Sequence, residues 1–450
     1  MRRGWKYGVV AVTVAALFAT VFGVSKQANA TSKRASADTL KIMGFGPGDE
    51  IANVRADIAA KALPSGTDVD NPRGGFDDQK FLAALAARDV PDVVYIDRQK
   101  VGTYAAKGAF VPLTSCVRSK RINLKQYYKS TLRQVTYKGK LYAIPEFTNP
   151  RTIIVDNKVV TSAGLKATDL KTTNWKKLAR VNKKLLRRSG GKVTRIGFDP
   201  KIPEFFPLWV KANGVDLVSK NGLKVNFTNP KTIQALQFTY GLIKAHGGWG
   251  PFKSFRDTWD FFGKDNQVAK DQIGAWPMES FYYNVLAQNS PNVDIRALPF
   301  TNRKGGALTF FTGNGWAIPK GAKHPDLACT WMKTMTTWQT WVKAAKERFD
   351  AQRRRGRPFT GLYTANKTAD VKVYQDIYQP MGNRDFDGAV DLLVAINRYG
   401  FELPASPAGA EIQTAMTEAI NRVLSGKQSP KAAMRQAQRE ATKAIKNATK

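Results

Sequence analysis

The recurrence of a short apolar strand, a loop and an amphipathic helix is the sequence feature that most constrains the fold. Residues 39–43 have the pattern of a strand, the glycine-rich loop GFGPGDE follows at 44–50, and apolar residues recur at helical spacing over 51–63. Residues 76–90 predict another amphipathic helix, and residues 92–97 (DVVYID) predict a buried strand. This alternation is typical of an α/β fold with parallel strands, in which ligands bind beyond the carboxyl ends of the strands.

The same patterns continue along the chain. Strands are predicted within 137–147 and over 151–157, and helices over 99–113, 174–190 and 233–248, with two more helices between 410 and 447. The chain has 450 residues, of which 43% are hydrophobic, so it can form two or three domain-sized units with substantial cores.

The formal net charge of +36 indicates a chain that attracts polyanions. The basic residues are spread along most of the chain and are not expected to form one tail or one helix face, which argues against a dedicated nucleic-acid-binding module and predicts no nucleic-acid partner. The densest basic run, 347–359, is interpreted either as a solvated loop or as a contact with a membrane or a partner.

Histidine and cysteine are scarce, which limits metal and cofactor chemistry. The chain has His246, His324, Cys116 and Cys329, and no CxxC or HExxH motif. The sequence therefore predicts neither a metal site nor a cofactor.

Residues 1–30 have the pattern of an export signal, with basic residues first, then an apolar run and a small-residue Ala-Asn-Ala end. Residues 31–38 are interpreted as a leader. Cleavage after Ala30 would remove four basic residues and no acidic ones, leaving a net charge of +32. An uncleaved membrane anchor is the alternative, because the apolar run is close to the length that spans a membrane. No cysteine lies near Ala30 to carry a lipid, so we expect an exported protein of the cell envelope, periplasm or extracellular space.

Several blocks occur in an order that resembles a known family. They are FDDQKFLAALAARDVPDVVYID, AAKGAFVPL, YKGKLYAIPEFTNPRTIIVDN, NWKKLARVNKKL, GAWPMESFYYNVL, GNGWAIPKGAKHPDLACTWMKTM and AINRVLSGKQSPKAAMRQAQREA. Together they are similar to the extracellular solute-binding proteins of carbohydrate ABC transporters, the family that includes maltose-binding protein. The resemblance covers roughly residues 39 to 445.

This resemblance implies a two-lobed periplasmic-binding-protein fold, with each lobe a mixed or parallel sheet flanked by helices and the ligand in a cleft at the hinge. Lobe 1 would comprise 39–146 and 316–362, and lobe 2 would comprise 147–313 and 363–450. The chain would leave lobe 1 near Glu146 and return near Gly313, where glycines let the backbone absorb the closing motion. It also implies a monomer without enzymatic activity that delivers a sugar to a membrane permease.

Sugar binding needs aromatic faces and paired polar groups, and matching positions supply candidates. The expected ligand-binding residues are Phe45, Asp97, Glu146, Arg151, Phe205, Trp209, Trp276, Glu279, Tyr282, Asn314 and Trp316. The resemblance also places both cysteines in lobe 1, so a disulfide between Cys116 and Cys329 is expected, with two buried thiols as the alternative.

Three other functions stay open on the sequence alone. The loop 44–50 lacks the tryptophan that a sugar binder often has there, so an anionic solute such as a sugar phosphate or glycerol phosphodiester is a second hypothesis, with Arg98 or Arg151 as its clamp. An exported glycoside hydrolase would use Glu146 and Glu279. An exported polyanion-binding protein would account for the charge.

Overall fold

The computed structural model describes residues 38–46 and 48–450. The predicted signal peptide, and the leader up to residue 37, lie outside the described residues. Residues from Asp38 onward form one unit. Within the described part of the chain, no helix has the length and apolar character needed to cross a membrane.

Strands and helices alternate over most of the chain. The strands are β1 Thr39–Met43, β2 Asp68–Asp70, β3 Val93–Asp97, β4 Thr136–Tyr137, β5 Lys140–Leu141, β6 Ala143–Pro145, β7 Arg151–Asp156, β8 Arg187–Ser189, β9 Lys192–Phe198, β10 Ile273–Glu279, β11 Ile295–Thr301, β12 Ala307–Phe310, β13 Asn314–Ala317 and β14 Gly400–Phe401. The helices are α1 Glu50–Lys61, α2 Asp78–Ala87, α3 Arg98–Ala106, α4 Thr114–Ser119, α5 Lys129–Gln134, α6 Asn157–Ser162, α7 Trp175–Leu185, α8 Phe206–Ala212, α9 Pro230–Lys244, α10 Trp249–Arg256, α11 Phe281–Asn289, α12 Pro325–Thr336, α13 Trp338–Arg354, α14 Lys367–Lys372, α15 Arg384–Ile396, α16 Gly409–Leu424 and α17 Pro430–Ala448.

Two larger sheets define two lobes. The first lobe contains a five-stranded sheet in the order β2-β1-β3-β13-β6, and the second contains a seven-stranded sheet in the order β14-β12-β11-β7-β10-β9-β8. In the first sheet β1 and β3 are parallel, and β13 runs antiparallel to both β3 and β6. The carboxyl ends of β1, β3 and β6 therefore meet at one edge, where β13 begins.

The chain passes between the two larger sheets three times, and two of these crossings are short. It leaves β6 and enters β7 through 146–150, and it leaves β12 and enters β13 through 311–313. Gly313 has a φ of 140°, and a Cβ there would lie 2.7 Å from the Phe147 carbonyl oxygen. Glycine is required at this position because the two crossing segments come so close that no side chain fits between them.

Trp316, which was expected among the ligand-binding residues, is fully buried. It packs against Trp331 and Phe45 in the core between β13, α12 and α1. Its indole N–H donates to the carboxylate of Glu146, the first residue of the crossing 146–150, so this tryptophan anchors that crossing to the core of the first lobe.

The two lobes also touch through α3 and the start of α16. A Cβ on Gly102 would lie 2.4 Å from the Ser406 carbonyl oxygen, and a Cβ on Gly409 would lie 2.3 Å from the Gln99 carbonyl oxygen. Backbone therefore packs directly on backbone at this contact.

Two predicted helices are shorter than the patterns suggested. The helix predicted over 99–113 ends at Ala106, because Gly108 follows with a left-handed φ of 68°. The helix predicted over 174–190 ends at Leu185, because residues 187–189 pair with β9 as the edge strand β8.

One helix of the second lobe, together with the hairpin that follows it, carries a local cluster of basic residues. The buried side of α7 consists of Trp175, Leu178, Val181, Asn182 and Leu185, so the helix is strongly amphipathic. Eight basic residues of α7 and the hairpin β8–β9 are exposed, and we call them the α7 face: Lys176, Lys177, Arg180, Lys183, Lys184, Arg187, Arg188 and Lys192.

Cys116 of α4 and Cys329 of α12 lie side by side in the core of the first lobe. Their Cα atoms are 5.6 Å apart, and the structure pairs them as a disulfide. The bond joins positions 213 residues apart.

Candidate ligand cleft

The strand ends of the first sheet face residues of the second lobe. Cavities lie along this boundary, and two of them are candidate ligand sites. The first has a volume of about 480 Å³. Its lining consists of Phe45, Gly46, Gly48, Asp49, Ile51, Ala52, Arg55, Tyr95, Glu146, Phe147, Asn149, Ser280, Phe281, Asn284, Arg348, Thr360, Gly361, Leu362 and Tyr363.

The first cavity combines aromatic rings with polar groups. Phe281, at the first position of α11 in the second lobe, is 40% exposed, so its ring is available to a ligand. The side chain of Asp49 caps α1 by accepting from the Ala52 N–H at 2.8 Å. Arg348 holds the same carboxylate, with an N–O distance of 2.5 Å. Loop 44–50 is thus anchored by a helix cap and an ion pair.

The second cavity has a volume of about 720 Å³ and is mostly polar. It is lined by Phe76, Asp78, Asp97, Lys100 and Asn314 of the first lobe and by Ala410, Gln413, Thr414, Thr417 and Glu418 of α16. Asp97 caps α3 by accepting from the Gln99 N–H at 2.9 Å, and burial raises the pKa of its carboxyl group. Lys100 is already paired with Asp78.

A buried polar network supports the inner wall of the first cavity. The Glu146 carboxylate lies 2.9 Å from a guanidinium nitrogen of Arg55 and accepts from the Tyr95 hydroxyl at 3.2 Å. Burial raises the pKa of Glu146, although Arg55 acts in the opposite direction. The Arg55 guanidinium lies 3.9 Å from the centre of the Trp341 ring, so both members of the pair are enclosed.

Arg98 and Arg151, which the sequence suggested as anion clamps, are both buried and directed at protein groups. Arg98 donates to the Phe147 carbonyl at 2.6 Å and to the Asn314 carbonyl at 3.1 Å, so it ties the two crossings together. Burial lowers the pKa of Arg98 to about 10. Arg151 donates to Glu279 at 2.9 Å, and its guanidinium lies 4.3 Å from the centre of the Phe205 ring.

The structure separates the other sequence-predicted site residues. Phe45, Glu146, Asp97 and Asn314 line the two cavities. Trp276 and Tyr282 pack on each other in a buried cluster, with ring centres 5.3 Å apart. Trp209 is fully buried in the core of the second lobe, where its indole N–H donates to the Pro200 carbonyl at 2.8 Å. These three aromatic residues line neither cavity.

Sequence reasoning missed the residues that the second lobe contributes. Phe281 lies two residues after Glu279, and the sequence selected the adjacent Tyr282, which is buried, in its place. On α16, Ala410, Gln413, Thr414 and Thr417 follow helical spacing. A polar stripe of this kind looks like any solvated helix face in a sequence.

The metal-ligating residue types are scattered. Across 38–46 and 48–450, no group of three or more His, Cys, Asp and Glu side chains could hold a metal ion.

Two α/β lobes, joined by short crossings and separated by cavities that both lobes line, define a two-lobed binding protein. The family model described as bacterial extracellular solute-binding protein matches residues 67–339, which is more than half of the chain. The chain belongs to this family.

Solved structures share the fold at low sequence identity. CpMnBP1 with mannobiose bound is 20% identical, with a TM-score of 0.72 and coverage of 90% of this chain and 99% of that one. The ABC substrate-binding protein Lmo0181 from Listeria monocytogenes, in complex with cycloalternan, is 18% identical, with a TM-score of 0.72 and coverage of 91% and 99%. The maltose/maltodextrin-binding domain MalE from Bdellovibrio bacteriovorus, bound to maltotriose, is 18% identical, with a TM-score of 0.67 and coverage of 91% and 100%. No curated protein matches the chain significantly.

Proposed function

We propose that this chain is the exported, monomeric binding component of an ABC importer, and that it captures a sugar and presents it to a membrane permease. The lining of the first cavity carries the proposal. Phe281 offers an exposed aromatic ring from the second lobe, and Asp49, Asn149 and Asn284 offer polar groups around it. An aromatic face packs on the C–H face of a sugar ring, while amide and carboxylate groups pair with its hydroxyls.

Likeness to sugar-bound proteins supports a carbohydrate over another solute. The similar structures described above have mannobiose, cycloalternan and maltotriose bound. One wall of the first cavity comes from each lobe. A ligand that contacts both walls therefore binds the closed arrangement of the lobes more tightly than an open one.

The charges near the cavities do not favour the anionic-solute hypothesis. Arg348 is paired with Asp49, Lys100 with Asp78, and Arg151 with Glu279. Each of these cations is already neutralised by a carboxylate. A phosphate would have to displace a protein carboxylate to bind any of them.

The carboxylates that a hydrolase would use are also engaged. Glu146 is fully buried and paired with Arg55, and Glu279 is paired with Arg151. Neither carboxylate is free to protonate a glycosidic oxygen or to attack an anomeric carbon. We therefore infer binding without turnover.

A thermal-shift screen followed by calorimetry tests the proposal. The screen uses mannobiose, maltotriose, cycloalternan, glucose 6-phosphate and glycerol 3-phosphate. We expect at least one of the three sugars to raise the unfolding midpoint, because a ligand that binds only the folded state stabilises it. Micromolar affinity corresponds to about 8 kcal/mol of binding free energy. Stabilisation by the phosphates alone, or cleavage of a sugar detected by mass spectrometry, would overturn the proposal.

A further inference from the structure

The α7 face, defined above, is a basic surface whose orientation the core fixes. Trp175, Leu178 and Leu185 of α7 lie in the main core cluster of the second lobe. Because this apolar side is locked inward, the lysines and arginines on the other side all project to the exterior. At 1.5 Å per residue, the helical part of the row, from Lys176 to Lys184, is about 12 Å long.

The surroundings of the α7 face are almost free of acidic residues. Among the elements packed against α7, neither β9 nor α9 contains an aspartate or glutamate, and the short segment 167–170 contributes only Asp169. Asp169 lies 2.6 Å from the Lys177 ammonium nitrogen. Within the described residues, no salt bridge engages the other seven basic residues of the face.

Two arginines of the face are held in place by backbone carbonyls. Arg187 donates to the Lys184 carbonyl at 2.8 Å, and Arg188 donates to the Gly191 carbonyl at 3.0 Å. These contacts fix the side chains while leaving their charge uncompensated. Like charges this close repel one another, and a bound polyanion relieves that repulsion.

We propose that the α7 face is a docking surface for a linear phosphate polymer, which it recognises by charge alone. Among the described residues, the large hydrophobic side chains that are exposed lie elsewhere, with none between 166 and 195. The face therefore has no apolar group to insert into a membrane and no aromatic ring on which a nucleic-acid base could stack. A row of exposed cations matches a chain of evenly spaced phosphates.

The docking surface is separate from the candidate ligand cleft. None of the eight residues lines either cavity. A polymer on the α7 face would therefore leave the cleft accessible, and the chain could be held on an anionic polymer while it binds its solute.

Fluorescence anisotropy with labelled long-chain inorganic polyphosphate tests the inference on the purified chain. The test variant combines Lys176→Gln, Arg180→Gln, Lys183→Gln and Arg187→Gln. The matched control combines Lys431→Gln, Arg435→Gln, Arg439→Gln and Lys443→Gln, all exposed on α17. Both variants lose four charges, and circular dichroism checks that both remain folded.

We expect the α7 variant to bind polyphosphate at least about tenfold more weakly than the control at about 50 mM salt, with a shallower salt dependence. Equal weakening in both variants would show that overall charge, and not this face, binds the polymer. The same measurements are made with single-stranded DNA and with phosphatidylglycerol vesicles, each in the absence of polyphosphate. Tighter α7-dependent binding to either than to polyphosphate would also overturn the inference.

Discussion

The carboxylate of Glu146 lies 2.9 Å from the guanidinium of Arg55, and both side chains are almost wholly buried. Glu146 begins the first crossing between the lobes, and Arg55 lies on α1. A single ion pair thus joins a helix of the first lobe to the segment that leads into the second.

We expect Arg55→Met to lower the free energy of unfolding by about 3–5 kcal/mol, because Glu146 would be left buried without its partner. The double variant Arg55→Met with Glu146→Gln should lose less unfolding free energy than the sum of the losses in the two single variants. Urea denaturation followed by tryptophan fluorescence measures these changes. The half-exposed pair Lys253–Asp257 is the control, and Lys253→Met should cost less than about 1 kcal/mol. Additive losses at Arg55 and Glu146 would argue against direct coupling.

The stability of the second lobe should depend on the ionisation of Asp156. Its Oδ1 atom accepts from the Val159 N–H at 3.0 Å, and its side chain is buried. Burial raises the pKa of Asp156 to about 7, assisted by Asp271 and opposed by Arg195 and Lys158. The folded chain therefore keeps this proton up to about pH 7, whereas the unfolded chain loses it near pH 4, so this group destabilises the fold as pH rises between those values.

Asp156→Asn removes the charge and keeps the helix-capping acceptor. We compare the free energy of unfolding of this variant with that of the native chain. We expect the difference to favour the variant by about 1–3 kcal/mol more at pH 8.5 than at pH 5. Chemical denaturation at the two pH values measures the difference. If the variant and the native chain differed in unfolding free energy by the same amount at both pH values, Asp156 would have the same pKa in the folded and unfolded chains, and the prediction would be wrong.

The pairing of Cys116 with Cys329 predicts that chain exported into an oxidising compartment carries no free thiol. Thiol titration in denaturant without reductant should count none, and two reactive thiols would contradict the bond. Cys116→Ser should lower the free energy of unfolding by about 2–5 kcal/mol, because the bond restricts the unfolded chain. Adding Cys329→Ser should cost little more, since the bond is already lost.

Phe281→Ala should weaken sugar binding by about tenfold, or about 1.4 kcal/mol, with little effect on stability because the ring is partly exposed. Tyr399→Ala is the matched control, since that ring is 45% exposed and lines neither cavity. Isothermal titration calorimetry with the best sugar measures both. If Gln413→Ala abolished sugar binding and Phe281→Ala left it unchanged, the sugar site would be the second cavity and not the first.

The fold class could be predicted from the sequence because its signals are local. The β1 strand over 39–43 and the helices near the carboxyl terminus have the bounds their patterns indicated, within a few residues. Errors arose where an element ends for a tertiary reason, as at β8, whose residues pair with β9 and so cannot extend α7.

The candidate cleft was predicted only in part, because a residue type does not reveal the direction of its side chain. Phe45 and Glu146 line the first cavity, whereas Trp209 and Tyr282 belong to cores. Large aromatic residues serve both roles, and a sequence offers no burial information to separate them. The stripe on α16 becomes a cavity wall only because the fold brings it opposite Asp97.

The packing of Gly102 against Ser406 restricts how the lobes can open. With backbone pressed on backbone, this spot acts as a pivot, and the two halves should swing about it without parting there. The gap between the lobes would then widen with distance from α3, and a solute would enter at the rim farthest from that helix.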